Sequence, residues 1–269
     1  MRPWIVLTLL CLVIAGTADA AVFWEDTFDD PALPGWLLFN SQPTLYPPLG
    51  VTTDRPFGGR GSLKGLYVGE PGGGPWIDRP FPSTEDLYFR VYANERGFVN
   101  GSTSTKFLRF SGSTGPDFWW LYLYGDRTPA FSVQNDGNVC PGTGFGPYDS
   151  CNYFATLAGA PQPMDQWVCY EGHFKMNTPG VANGVLEQWA TNMTTGGPRI
   201  QTHALYTRIW RGPSVANPAG CTGYCNSSQA AFTYVRIYRQ NGTGDRWMDN
   251  LAVGNTPIGC AGTPLPTMP

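Results

Sequence analysis

The sequence predicts an all-β protein, one β-sandwich of two antiparallel sheets of jelly-roll type, and three observations carry that prediction. The 269 residues include 34 Gly and 25 Pro, which break helix interiors and so exclude a helical bundle or a helix-rich α/β enzyme. Hydrophobic residues make up 42% with ten Trp, enough to bury a core, which argues against disorder. Segment after segment alternates apolar and polar side chains in the manner of half-buried strands, and no helical pattern lasts.

The elements follow in order. Residues 1–20 read as a secretory leader: Arg2 supplies the positive start, Ile5 to Ala15 is apolar, and Ala18-Asp19-Ala20 is an A-x-A cleavage site. That apolar run is too short to cross a bilayer and no other stretch approaches about 20 apolar residues, so no membrane span is expected. One domain is expected over 21–260, with a loose tail over 261–269. The domain opens with AVFWEDTFDD, a short strand ending in an acidic turn. Gly- and Pro-rich loops are expected at 31–62 and 69–83. Strands are expected at 87–92, 105–110, 118–124, 167–176, 184–190, 204–210, 232–239 and 246–253. Asn183-Gly184 reads as the turn before 184–190, and Asn241-Gly242 as the turn before the last strand.

An exported chain meets an oxidising compartment, where its cysteines pair. Cys140 with Cys151 and Cys221 with Cys225 are the nearest neighbours, which leaves Cys169 to join Cys260. A zinc site is the weaker reading, since His173 and His203 are the only histidines and no C-x-x-C pair exists. The formal charge of −3 gives no reason to expect nucleic acid as a partner.

The faces of the strands carry the functional signal. Leu87, Phe89 and Val91 oppose Tyr88, Arg90 and Tyr92; Thr233, Val235 and Ile237 oppose Tyr234, Arg236 and Tyr238. Trp119, Leu121 and Leu123 oppose Trp120, Tyr122 and Tyr124, and Tyr206, Arg208 and Trp210 share a side. One reading puts the aliphatic side in the core and leaves the Tyr/Arg/Trp side as a groove for a glycan, rings stacking on sugars and arginines meeting carboxylates. The other lets the aromatics fill the core while the arginines reach out at strand ends. Glu171, His173 and Lys175 also fall on one strand face, an acid, a titratable base and a cation in a row. Hydrolase signatures are mostly missing: there is no E-x-D-x-x-E pairing, no G-x-S-x-G elbow and no H-E-x-x-H.

At 167–192 the run WVCYEGHFKMNTPGVANGVLEQWATN resembles the concanavalin A-like polysaccharide lyases, above all the alginate- and glucuronan-lyase group. The matching positions are Lys175, Asn177, Thr178, Pro179, Gly180, Asn183, Gly184 and Trp189, and the later MDNLAVG, with Asp249 and Asn250, resembles the final strand of that superfamily. The resemblance implies a concanavalin A-like jelly roll and a β-elimination that uses a lysine, a Ser/Arg pair and a Tyr-x-Tyr pair. Lys106 stands where the lysine would, Tyr122-Leu123-Tyr124 is the Tyr-x-Tyr candidate, and no Ser-x-Arg stands where one is expected.

The function expected from all this is a secreted lyase acting on an acidic, uronate-containing polysaccharide. The alternatives are a non-catalytic glycan-binding module and, third, a glycoside hydrolase using Glu171 and Glu187. Elimination needs a cation for the carboxylate, a base for the α-proton and an acid for the leaving oxygen. Lys106, Tyr122, Tyr124 and His173 are the catalytic candidates, and Arg90, Tyr88, Trp120, Lys175, Arg208 and Arg236 the binding candidates. No cofactor is required. Related sandwiches hold a structural calcium between their terminal strands, which points to Glu25 and Asp249 as ligands; the competing reading leaves the N-terminal acids capping turns.

Overall fold

The computed structural model describes residues 21–39, 49–69, 74–100, 105–112, 117–122, 127–134, 152–154, 162–211 and 228–261. The strands, in chain order, are β1 (Val22–Asp26), β2 (Leu37–Phe39), β3 (Gly50–Thr52), β4 (Ser62–Val68), β5 (Trp76–Thr84), β6 (Asp86–Val99), β7 (Thr105–Ser111), β8 (Asp117–Tyr122), β9 (Pro129–Gln134), β10 (Asn152–Phe154), β11 (Val168–Lys175), β12 (Gly184–Asn192), β13 (Ile200–Arg208), β14 (Phe232–Gln240) and β15 (Thr243–Gly254). They form two antiparallel sheets. Sheet A runs β13-β12-β11-β6-β15-β4-β3, with β1 also paired to β15, and sheet B runs β10-β9-β8-β7-β14-β5-β2. Every expected strand is present among these.

The core is the period-2 pattern made physical. From sheet A, Leu87, Phe89, Val91 and Ala93 point inward; from sheet B, Phe118, Val235 and Ile237 meet them. On β7 both Phe107 and Leu108 are buried, because a bulge after Lys106 inserts an extra residue and returns Arg109 to the outer side. Asn241 and Gly242 both have positive φ, at 59° and 72°. They do not close a hairpin. They carry the chain from β14 in sheet B to β15 in sheet A, a sharp reversal that the left-handed conformation permits.

Several expectations fail: the stretch 31–62, read as loop, contains β2 and β3. The stretch 69–83, read as loop, contains β5, which pairs with β14 through the heart of sheet B. Its prolines misled: β2 covers β5 only at Trp76–Asp78, so beyond that point the outer edge demands no amide from Pro80 or Pro82. On β8 the inward side is Phe118, Trp120 and Tyr122, which departs from the aliphatic-in reading and follows the one that lets aromatics fill the core. Tyr206 and Trp210 do not share a side. Thr207 has φ of 59°, which breaks the alternation and turns Trp210 into the core.

After β15 the chain folds back over the outer face of sheet A. Ile258 packs on Tyr88 and Ala252, and the Ala261 amide donates to the Tyr92 hydroxyl at 2.8 Å. Cys260 is disulfide-bonded to Cys169 on β11, the expected long-range pair. Cys140, Cys151, Cys221 and Cys225 lie outside the described residues, as does the leader.

Candidate functional site

The outer face of sheet B carries a row of aromatic rings set across the strands. Cross-strand register brings Phe39 opposite Trp76 and Trp76 opposite Tyr238. Ring centroids are 5.6 Å apart from Phe39 to Trp76, 5.9 Å from Trp76 to Tyr238 and 5.6 Å from Tyr238 to Trp119. Cations lie against these rings. Lys106 Nζ stands 4.1 Å from the Trp119 centroid, Arg109 stands 5.2 Å from it, and Arg236 stands 4.7 Å from that of Trp76. Both arginines are already held by carboxylates: Arg236 donates to Asp78 through Nε and Nη2 at 2.7 and 2.8 Å, and Arg109 pairs with Asp117. The row is open at one end. Leu37 is 54% and Phe39 42% exposed, Trp76 and Tyr234 are half-buried, and Tyr238 and Trp119 are buried.

The outer face of sheet A is a different chemistry. His173 donates through Nδ1 to Glu187 at 2.9 Å and through Nε2 to Asp86 at 2.7 Å, and its ring stacks on Tyr88 at 4.2 Å. Burial opposes the imidazolium, but the hydrogen bonds and charges of Asp86 and Glu187 outweigh it and raise the pKa of His173. Burial would likewise raise Glu187, yet His173 and the Tyr206 hydroxyl hold it low. Both ring nitrogens are engaged by carboxylates, so His173 clamps β6, β11 and β12 together and has neither nitrogen turned to a substrate as the expected base would. Beside it, Arg199 donates to Glu171 at 2.8 Å and lies 4.2 Å over Trp189. Arg90 pairs with Glu25 and donates to the Asn250 and Gly259 carbonyls, under the C-terminal strap.

Between the sheets, Tyr122 donates to Glu95 and accepts from Arg246, both at 2.8 Å, and all three are fully buried. Burial pushes the pKa of both Tyr122 and Glu95 up. Trp120 is buried beside Tyr170 at 4.7 Å. Neither Tyr122 nor Trp120 can touch a polysaccharide, which removes one catalytic and one binding candidate.

The expected convergence on a single groove therefore fails. Tyr88, Arg90, His173 and Lys175 belong to the outer face of sheet A, where Lys175 is exposed. Lys106 and Arg236 belong to that of sheet B, and Arg208 is half-buried opposite Gly184 at the end of β13. Tyr124 lies outside the described residues. The N-T-P-G turn is architecture: Asn177 accepts from the Trp210 and Arg211 amides and donates to the Arg211 carbonyl, while Asn183 bonds Thr178. Of the calcium candidates, Glu25 faces Arg90, and Asp249 accepts from the Phe57 and Asn250 amides while burial pushes it up to about 6. Among the described residues no group of three or more His, Cys, Asp or Glu side chains is placed to hold a metal.

The residues that sequence reasoning missed on sheet B are Phe39, Trp76, Asp78, Arg109 and Trp119. The alternation Trp76-Ile77-Asp78 was a signal for two of these, Trp76 and Asp78, but the prolines after it obscured the strand.

No family model and no curated protein matches the chain. Solved structures do. An endo-β-1,4-glucuronan lyase from the fungus Trichoderma reesei is 12% identical, with a TM-score of 0.58 over 88% of this chain and 96% of that one. The PL-14 alginate lyase from Aplysia kurodai is 10% identical, with a TM-score of 0.57 over 87% and 99% of the two chains. The cellulose-induced protein Cip1 is 15% identical, with a TM-score of 0.55 over 88% and 99%. Such low identities speak for architecture and leave activity open, since function lives in the site and not in the fold. The chain has the concanavalin A-like jelly-roll fold that these proteins share.

Proposed function

We propose that the protein binds an acidic, uronate-containing polysaccharide on the outer face of sheet B. The observation that carries this reading is the open end of the aromatic row, exposed Phe39 beside half-buried Trp76, with half-buried Lys106 at the other end against buried Trp119. Sugar rings stack on aromatic faces, and a lysine beside them supplies the charge a uronate carboxylate seeks. The Cys169–Cys260 disulfide supports an extracellular setting, in keeping with the leader.

Turnover by β-elimination is the second reading. Its support is the shared fold with structures named glucuronan lyase and alginate lyase, together with Lys106 as the cation that would neutralise the carboxylate. Burial of Tyr122 removes it as proton carrier, which leaves Tyr124 and the half-buried Tyr234 for that role.

One experiment separates the readings. The protein is incubated with polyglucuronate, alginate, pectate and glycosaminoglycans, and absorbance of the unsaturated product, reducing ends and column retention are followed. Retention without absorbance supports binding alone, and absorbance supports elimination. Reducing ends without absorbance point to hydrolysis, and no retention on any acidic glycan rejects the proposal.

A further inference from the structure

The two ends of the sheet B row differ in charge and in exposure. At the inner end stand Lys106 and Arg109, and Arg109 faces Asp117. At the outer end, on β5 and β2, stand Trp76, Leu37 and Phe39, and the carboxylate there is Asp78, gripped by Arg236. Leu37 lies opposite Asp78 and Phe39 opposite Trp76, so all four share the outer face.

We propose, resting on the glycan-binding reading above, that this outer end is a subsite for an uncharged sugar, so that the preferred glycan mixes uronate with neutral units. Three physical points carry it. Asp78 and Arg236 neutralise each other, so this end holds no net charge to attract a second carboxylate, whereas a hydroxyl can donate to Asp78. The charge of Arg236 is offset by Asp78, yet its remaining N–H groups and the two carboxylate oxygens still offer a sugar both donors and acceptors. The exposed side of Phe39, backed by Trp76, matches the C–H face of a pyranose. From β7 to β2 are three strand spacings, about 14 Å, so the charged and uncharged subsites sit on one oligosaccharide and not on one sugar.

The test measures affinity for oligosaccharides of equal length: a homoglucuronate, an alternating glucuronate–N-acetylhexosamine chain and a neutral chain. The alternating chain is expected to bind about tenfold tighter than the homopolymer. Phe39→Ala should bring that ratio towards one and Phe39→Tyr should restore it; Phe39 is exposed on a three-residue edge strand, so the fold survives both. A homopolymer that binds as tightly as the alternating chain overturns this inference and leaves the acidic-glycan reading standing. So does a ratio that Phe39→Ala does not change. Tightest binding of the neutral chain, or no binding of any, overturns both.

Discussion

The two outer faces of the sandwich are built from the same residue types and do opposite things with them. On sheet A the charges around His173 are spent on the protein: His173 on Asp86 and Glu187, Arg199 on Glu171, Arg90 on Glu25, with the strap at 255–261 laid over Tyr88 and Tyr92. On sheet B the rings meet across strands, and their outer end stays exposed. Tyr, Trp and Arg on the outward side of a strand therefore do not by themselves make a groove. Arginines are paired with carboxylates on both faces, so what distinguishes them is whether the rings are covered, as Tyr88 and Tyr92 are by the strap, or exposed, as Phe39 is.

Substitutions should divide along the same line: those on sheet A cost stability and those on sheet B cost binding. The largest effect is expected from the strap. Cys169→Ser with Cys260→Ser opens a link spanning 91 residues and should lower the unfolding free energy by about 4 kcal/mol, read by urea denaturation, with glycan retention unchanged. Next comes the clamp. His173→Ala strips two charged hydrogen bonds and leaves Glu187 with only Tyr206 and Gln201 as donors, for a loss on the order of 1.5–3 kcal/mol in the same assay. Should either variant instead lose glycan binding at unchanged stability, the two faces have been assigned the wrong way round.

How much of this was legible in the sequence depends on the physics involved. Strand alternation in 87–92 and 232–238 gave the correct inward faces, because burial of one side of a sheet is a local, period-2 property. The N-T-P-G turn and the Cys169–Cys260 pair were also legible, the first from backbone chemistry and the second by elimination. Which outward faces lie together was not. Arg90 and Arg236 look alike in their strands, and only the crossover at Asn241-Gly242 and the partners of each strand place them on opposite sides of the molecule. The inward turn of Tyr122 was equally hidden, since it depends on a buried Glu95 and Arg246 far away in sequence.

Smaller effects sharpen the contrast. Lys106→Met should weaken an acidic glycan by roughly the 1.5–3 kcal/mol of one charge-assisted hydrogen bond, a neutral glycan hardly at all, and leave the melting temperature in place. The smallest effect is in pH. Because the folded protein raises the pKa of His173, the clamp's contribution is fully present below the unfolded value of about 6.5 and fades as pH rises through the folded value. Glu187, held low, adds stability above its ordinary value that is lost as pH falls through the depressed one. Stability against pH in His173→Gln should accordingly lose the decline on the alkaline side. A curve that superimposes on that of the native protein there removes the clamp.

The central claim is that sheet B, and not sheet A, presents the glycan face, and amide hydrogen exchange with and without a saturating uronate-containing oligosaccharide tests it most directly. Added protection should concentrate in β2, β5, β7, β8 and β14, with β11, β12 and β13 exchanging as before. Protection centred on β11 to β13 around His173 and Tyr206, with β5 and β14 unaffected, would contradict the account.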